Sequence, residues 1–525
     1  MKTPRHHMFT AALAAIVAGA TLTACSALGV TAEEAATTQA TVNITSAAEA
    51  LADNAKSHAE AGDVDYVEAD AVAIALSDGA TTSSSTDGVA IRGDVVTISA
   101  PGTYRLSGTL TNGQVVVNSD ADGTVKIVLD NASITSTTGS AFVITAADEA
   151  VVVLADGSTN SLTDGTDYDT SAEDAPNAAL FSMADLTIGG SGALSVTGNT
   201  NDGIASKDGL VILGGTIKVT AADDGIRGKD YLIVSSGSVK VNAKGDGLKS
   251  DNEDDDTVGY ILLEGGTVSI AAGDDGAHAE GDLAITGGTV TVTKSTEALE
   301  GVSVTISGGT TDVTASDDGL NATAGASTDS DTGGAGGGGG GMANDGSLLT
   351  ISGGTLLVNA DGDGLDSNGT LVVTGGTTVV SGPTNSGNGA LDSNGGITLT
   401  GGVLVAAGSA GMAESPGESS TIGWVAVNLG QTVAAGKTLS IVKDGTVIAA
   451  YTTVKEVAAL IVADSDITSG ETYDVYVGGI LTGKAVGTYS ASADVAKATK
   501  STTVTAGEAL AGGMGGGGGG GGRRP

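Results

Sequence analysis

The chain has 525 residues, a formal net charge of −40 and 2% aromatic residues, yet 40% of it is apolar. The acidity argues against nucleic acid as a partner, because that affinity comes largely from Lys and Arg on phosphates. The apolar share excludes disorder throughout, and the 85 glycines follow no Gly-X-Y period, which excludes collagen.

Residues 1–25 begin with Lys2 and Arg5, continue through an apolar run from Ala11 to Ala20 and end in Leu22-Thr23-Ala24-Cys25. This has the form of a bacterial lipoprotein signal closed by a lipobox, too short to span a bilayer. Cys25 is then the expected lipidation site, and the mature chain is expected outside the cytoplasm, held to the membrane only by its lipid. As the single cysteine, Cys25 forms no intrachain disulfide. Residues 26–85 are rich in Ala, Thr and Glu at first and are expected to be a tether, largely disordered or partly helical.

Strand texture begins near Val89, with Gln114-Val-Val-Val-Asn, Val125-Lys-Ile-Val-Leu-Asp and Val151-Val-Val-Leu. From Leu186 a repeat sets in. Leu210, Ile212, Ile217, Val219, Asp224 and Ile226 recur 22 residues later as Leu232, Val234, Val239, Val241, Asp246 and Leu248. The next copy carries Ile261, Leu263, Val268, Ile270, Asp275 and Ala277, delayed by the acidic insertion Asp251–Thr257. Further copies follow at Leu283, Val304, Leu349 and Leu371. A period in the low twenties marks a solenoid. Apolar residues alternate with period two inside each copy, so its units are strands.

The fold class expected is all-β, a right-handed parallel β-helix over residues 86–415. Ile212, Val234, Leu263, Ile285, Ile306, Ile351 and Val373 should form one internal ladder. Gly-Gly pairs at 214–215, 265–266, 287–288, 308–309, 353–354 and 375–376 mark a recurring corner that needs φ > 0. The following Thr216, Thr267, Thr289, Thr310, Thr355 and Thr377 should stack as a hydroxyl column. Residues 322–346 are a Gly-rich insertion, residues 420–495 a small C-terminal β region capping the open end, and residues 496–525 a Gly-rich tail.

The same stacking places Asp202, Asp224, Asp246, Asp275, Glu297, Asp318 and Asp363 in a column. A single Asp-Gly is a favoured turn, Asp bonding its own backbone and Gly accepting φ > 0. Stacked about 5 Å apart, carboxylates repel by on the order of several tenths of a kcal/mol even in water. Many copies add a further acid: Asp223, Asp274, Asp317 and Asp361. With oxygen ligands and no His or Cys cluster, the expected counter-ion is Ca²⁺. The predicted ligands are Asp202, Asp223, Asp224, Asp246, Asp274, Asp275, Asp317, Asp318, Asp361 and Asp363. Lys207, Arg227, Lys229 and Lys249 follow three consecutive Asp-Gly steps. They either pair with the column or reach a carboxylated sugar, for which Arg is suited. His278 occupies the same position one copy later and reads as a bystander. Ser-His-Asp chemistry has no motif here.

The blocks Asn201-Asp-Gly-Ile-Ala-Ser-Lys-Asp, Asp223-Asp-Gly-Ile-Arg-Gly-Lys-Asp and Gly245-Asp-Gly-Leu-Lys-Ser resemble a family of secreted bacterial carbohydrate-binding proteins. Gly102-Thr-Tyr-Arg-Leu-Ser-Gly, Gly113-Gln-Val-Val-Val, Gly157-Ser-Thr-Asn-Ser-Leu-Thr-Asp-Gly and Asp185-Leu-Thr-Ile match it too. The resemblance covers about 90–415. It implies a pectate-lyase-like, calcium-carrying right-handed parallel β-helix whose ligand is plant cell-wall polysaccharide, acidic polygalacturonate in particular. Glu297-Ala298 in place of Asp-Gly, His278 and the 322–346 insertion depart from the family pattern. The expected function is calcium-dependent binding of acidic polysaccharide by a monomer, without catalysis. Two alternatives stay open: a calcium-dependent lyase using Arg227 or a nearby Lys as base, and a structural adhesin or spacer.

Overall fold

The computed structural model describes residue 49 and residues 51–172, 174–324 and 343–510. The signal, Cys25, most of the expected tether before residue 51, the centre of the Gly-rich insertion and the tail beyond 510 lie outside the described residues. Apart from a 3-10 turn at Glu68–Asp70, the named elements are strands.

Successive strands fall in turn onto three ladders. Ile226–Gly228 belongs to the first, Tyr231–Val234 to the second and Ser238–Asn242 to the third. The chain then returns to the first at Leu248–Ser250, the second at Tyr260–Leu263 and the third at Thr267–Ala271. Each strand pairs in parallel with its equivalent one rung on. The first ladder is a 13-stranded sheet, and the other two join in a 26-stranded one. They merge at the N-terminal side through Gly102–Leu110 and Thr124–Thr135, strands long enough to run through both.

The period-two pattern explains the core. Leu210, Leu232, Ile261, Leu283, Val304, Leu349 and Leu371 stand in register and are buried, as are Ile212, Val234, Leu263, Ile285, Ile306, Ile351 and Val373. Together with aliphatic columns from the other two ladders they form a single continuous apolar cluster. The second glycine of each pair carries the expected positive φ, from +71° at Gly309 and Gly354 to +93° at Gly215.

The glycine of Asp-Gly has a different purpose from the one its turn chemistry suggests. Gly225, Gly247 and Gly319 are not in the left-handed region. They are required by space: a Cβ on Gly225 would stand 2.2 Å from Val241 Cγ1, and one on Gly247 would stand 2.3 Å from Ile270 Cγ2 and 2.5 Å from the Gly276 carbonyl. The first ladder therefore passes directly over the third ladder's Val column.

Residues 51–85, expected to belong to the tether, instead pack on the ladders. Val72–Ser77 pairs in parallel with Gly102–Leu110 and antiparallel with Thr82–Ser83. Leu51 and Ala59 cover the outward Val211, Tyr231, Ile233 and Tyr260, while Val64 and Tyr66 cover Val128, Val151 and Val153. Without a period of its own, this segment gave no signal; the signal lay in the apolar residues that face outward beneath it.

At the other end, Val457–Ala463 pairs antiparallel with both Val403–Gly408, the last strand of the third ladder, and Trp424–Val433. Thr438–Lys443, Thr446–Thr452, Thr472–Val477, Tyr489–Ser490 and Thr499–Thr505 complete a five-stranded antiparallel sheet. The last strand lies in what the sequence suggested as tail. The region covers an edge that would otherwise offer unpaired backbone.

Because the Gly247 Cβ position is blocked partly by backbone, Gly247→Ala should cost about 1–3 kcal/mol of stability. Gly139→Ala, where a Cβ meets nothing nearer than 4.0 Å, should be neutral. Thermal denaturation of the two variants checks the pair.

Candidate functional site

The Asp column forms along the entry to the first ladder. Its members do not merely bond their own turns. Asp224 N–H donates to Asp202 Oδ1 at 3.3 Å, Asp246 N–H to Asp224 Oδ1 at 2.9 Å and Asp275 N–H to Asp246 Oδ1 at 3.0 Å. The series continues with Glu297 N–H to Asp275 Oδ1 at 3.2 Å and Asp363 N–H to Asp318 Oδ1 at 2.6 Å. In Asp202, Asp224, Asp246, Asp275 and Asp318 one oxygen thus receives the next rung's amide, while the second meets a neighbouring side chain in the first four: Asn177 at Asp202, Lys249 at Asp224 and Asp246, and His278 at Asp275.

A second column stands beside it. The central residues of the short first-ladder strands are in register: Arg227, Lys249, His278, Glu300, Asn321, Asp366 and Asp392. Its basic end neutralises the acids nearby. Arg227 forms a forked contact with Asp251, Nε to Oδ1 at 2.9 Å and Nη2 to Oδ2 at 2.5 Å, and lies 4.0 Å from Asp202. Lys249 Nζ donates to Asp246 Oδ2 at 2.7 Å and lies 3.4 Å from Asp224 Oδ2. Burial opposes the charge on both cations, but the surrounding carboxylates outweigh it and raise both pKa values. Lys229 lies 3.9 Å from the exposed Asp254. Lys207 enters no ion pair among the described residues; burial, and then Arg227, lower its pKa.

His278 is no bystander. Its Nδ1 lies 2.8 Å from Glu300 Oε2 and 3.3 Å from Asp275 Oδ2. Burial disfavours the imidazolium, yet hydrogen bonds to those two carboxylates push its pKa up to about 10. It is a fixed cation that ends the basic half of the column.

Beyond it the counter-charges stop. Glu297 is pushed up to about 8 by burial and then by the Glu300 charge. Burial likewise pushes Asp318 to about 8, with Asp363 and Glu297 adding repulsion. Asp366 reaches about 8 through burial and the charges of Asp318 and Asp392, and burial raises Asp363 to about 6. Asn321 donates its Nδ2 to Glu297 Oε2 at 2.9 Å, while its buried Oδ1 has no partner. Burial also pushes Asp202 to about 8, although Asn177 donates to its Oδ2.

The predicted acids thus divide. Asp202, Asp224, Asp246, Asp275, Asp318 and Asp363 form the column; Asp223, Asp274, Asp317 and Asp361 lie exposed beside it. Asp246, Asp274 and Asp275 bring one ligand atom each within 4.8 Å of one another. Asp361 pairs instead with Lys455 at 2.9 Å. Glu300, Asn321, Asp366 and Asp392 were not singled out from sequence. Counting three residues on from each column acid, as already done for Arg227, Lys249 and His278, would have found Glu300, Asn321 and Asp366; Asp392 follows Gly389, where the column has no acid.

Residues 92–335 match the model of a family described as carbohydrate-binding domain-containing protein. A curated protein of Acetivibrio thermocellus with the same description is 33% identical over 137 residues, which are 26% of this chain and 48% of that protein. The chain thus spans about half the length of the curated relative it matches. A solved structure described as the polysaccharide lyase-like protein from C. thermocellum, gadolinium derivative, is 31% identical, with a TM-score of 0.41 over 46% of this chain and 93% of its own.

Carboxylates whose folded pKa is raised hold protons that the unfolded chain, with carboxyls near 4, has already released. Their contribution to stability is present at low pH and lost as pH rises through the folded values near 8. In a chelator-containing buffer, the melting temperature should therefore fall between pH 6 and pH 8.5, and Asp318→Asn combined with Asp366→Asn should flatten that fall. Calorimetry across the pH range checks both.

Proposed function

We propose that this protein is an extracytoplasmic, lipid-anchored carbohydrate-binding protein built on a right-handed parallel β-helix, the three ladders being its faces. It acts as a monomer and binds acidic, polygalacturonate-like polysaccharide with the help of Ca²⁺. The match of residues 92–335 to a carbohydrate-binding family supports the ligand class. The observation that carries the metal is the change along the carboxylate column.

At the basic end the column leaves little demand for an ion. Lys249 already serves Asp224 and Asp246, and Arg227 stands against Asp202. At the far end the chemistry fits calcium. Asp318, Asp363 and Asp366 are oxygen donors with no cation beside them among the described residues, and the orphaned Asn321 Oδ1 adds a neutral oxygen of the kind such sites use. These four residues would hold the ion on the strength of their unmet charge; the described groups of three acidic or imidazole ligands within 4.8 Å of one another lie instead at Asp246, Asp274 and Asp275 and at Asp275, His278 and Glu300. Asp318 and Asp363 are among the ten acids predicted from sequence, and Asp366 and Asn321 are not. A bound Ca²⁺ supplies a positive charge that can be shared between the protein's carboxylates and those of a polyuronate.

The lyase alternative needs a neutral base at working pH. Arg227 and Lys249 are held as cations by the carboxylates around them, which argues against either as the base; Lys207, whose pKa is lowered by burial and by Arg227, is the base this alternative would use. An absorbance assay for unsaturated uronate product should stay at background.

Calcium should raise the melting temperature at pH 8 and do so much less at pH 5, where protons compete for the same oxygens. Polygalacturonate should be retained by the full chain in calcium and more weakly in EDTA. Unchanged melting with calcium at pH 8 removes the metal from this reading; no retention of polygalacturonate in either buffer removes the ligand.

A further inference from the structure

The cations singled out from sequence are largely spoken for, but others are not. On the third ladder the aliphatic residues Ile217, Val219, Val239 and Val241 turn inward, leaving Thr216, Lys218 and Thr220 exposed on one strand and Ser238, Lys240 and Asn242 on the next. Strand pairing sets Lys218 directly beside Lys240. The same register continues the file from Ser195 through Lys218, Lys240, Ser269 and Thr291 to Asp312. Thr216, Ser238, Thr267, Thr289 and Thr310 run parallel to it, all exposed.

Two like charges placed opposite each other on neighbouring strands destabilise a sheet. In a chain of net charge −40, each could have been given a carboxylate, as Arg227, Lys229 and Lys249 are. Lys218 and Lys240 enter no ion pair among the described residues. Lys294, exposed at the end of Thr289–Lys294, enters none either. The one acid on the file, Asp312, stands at its far end, three rungs beyond Lys240. Beyond it Leu357 and Val379 follow in register and pack against the C-terminal β region, which closes the face at that end.

We infer that this outer face of the third ladder is the docking surface for the anionic polysaccharide, with Lys218 and Lys240 receiving sugar carboxylates and the flanking Thr, Ser and Asn side chains receiving ring hydroxyls. This rests on the carbohydrate-binding reading above and adds to it a surface separate from the carboxylate columns. Rungs repeat at about 4.8 Å, an advance comparable to that of one sugar along an extended glycan. A chain lying along the stacking direction, across the strands, therefore offers successive rings to successive rungs. The flat polar surface suits a linear polymer rather than a compact ligand, and the cation contacts need no metal.

The test compares the full chain with its Lys218→Gln/Lys240→Gln variant in EDTA, using polygalacturonate, a neutral glucan and polyglutamate as probes. Both positions are exposed and the substitutions relieve the repulsion between them, so the variant's melting temperature should equal or slightly exceed the parent's. The substitutions should weaken EDTA-resistant polygalacturonate binding by roughly tenfold, leave binding of the neutral glucan unchanged, and make the remaining polygalacturonate affinity less sensitive to salt. Ser269→Lys, which extends the file of cations, should tighten polygalacturonate binding. If the parent binds polygalacturonate and the double variant binds it equally well, the surface lies elsewhere and the carbohydrate reading stands. If polyglutamate binds the parent as tightly as polygalacturonate does, the face is a general anion surface and the glycan assignment is overturned. If the parent binds polygalacturonate in neither EDTA nor calcium, the carbohydrate reading falls, and this surface with it.

Discussion

From Asp202 to Asp275, and again at Asp318 and Asp363, a carboxylate accepts the following rung's backbone amide and ties one rung to the next. The contact from Asp246 N–H to Asp224 Oδ1 at 2.9 Å, and its neighbours in the column, fix the register at the one place where the first ladder has only three-residue strands. So short a strand pairs weakly through its own backbone, and a charge-assisted bond at its entrance strengthens that pairing. The arrangement accounts for Asp: its Oδ1 is committed to the amide, and its Oδ2 still projects toward the neighbouring column. It also carries a cost, since every added rung buries another negative charge beside the last.

That cost is met differently along the molecule. From Asp224 to Asp275 the cations of Lys249 and His278 are built into the chain, with Arg227 beside Asp202. From Glu297 onward no such cation stands in the column, and the acids retain protons to higher pH. One half is an ionic network with its own cations, although burial still raises Asp202 and Asp224. The other keeps an unsatisfied demand for positive charge, and this is where an external ion would change the stability and the surface potential of the protein.

Much of this was legible in the sequence because stacking converts a period into contacts. A 22-residue shift of Ile212 to Val234, or of Thr216 to Ser238, is a statement about neighbours in space. The Gly-Gly corner could be read because positive φ has few residue solutions. The Asp-Gly step was misread because the steric demand on Gly247 comes from Ile270 and Gly276, both outside its own turn. His278 was misjudged for a related reason: its two carboxylates, Asp275 and Glu300, matter only once the strands are set side by side. The segment from Leu51 to Tyr66 could not be read at all, since what fixes it is an outward apolar stripe on a distant ladder. The lysines at 218 and 240 were visible in the repeat, but only the absence of a partner among the described residues separates them from Arg227 and Lys249.

The most direct measurement is calcium-edge anomalous scattering from crystals of the full chain grown in calcium at pH 8. The account predicts a peak among Asp318, Asp363, Asp366 and Asn321, and none between Asp202 and Asp224. A peak between Asp202 and Asp224 with nothing at the far end would contradict it, as would a map without any peak along the column.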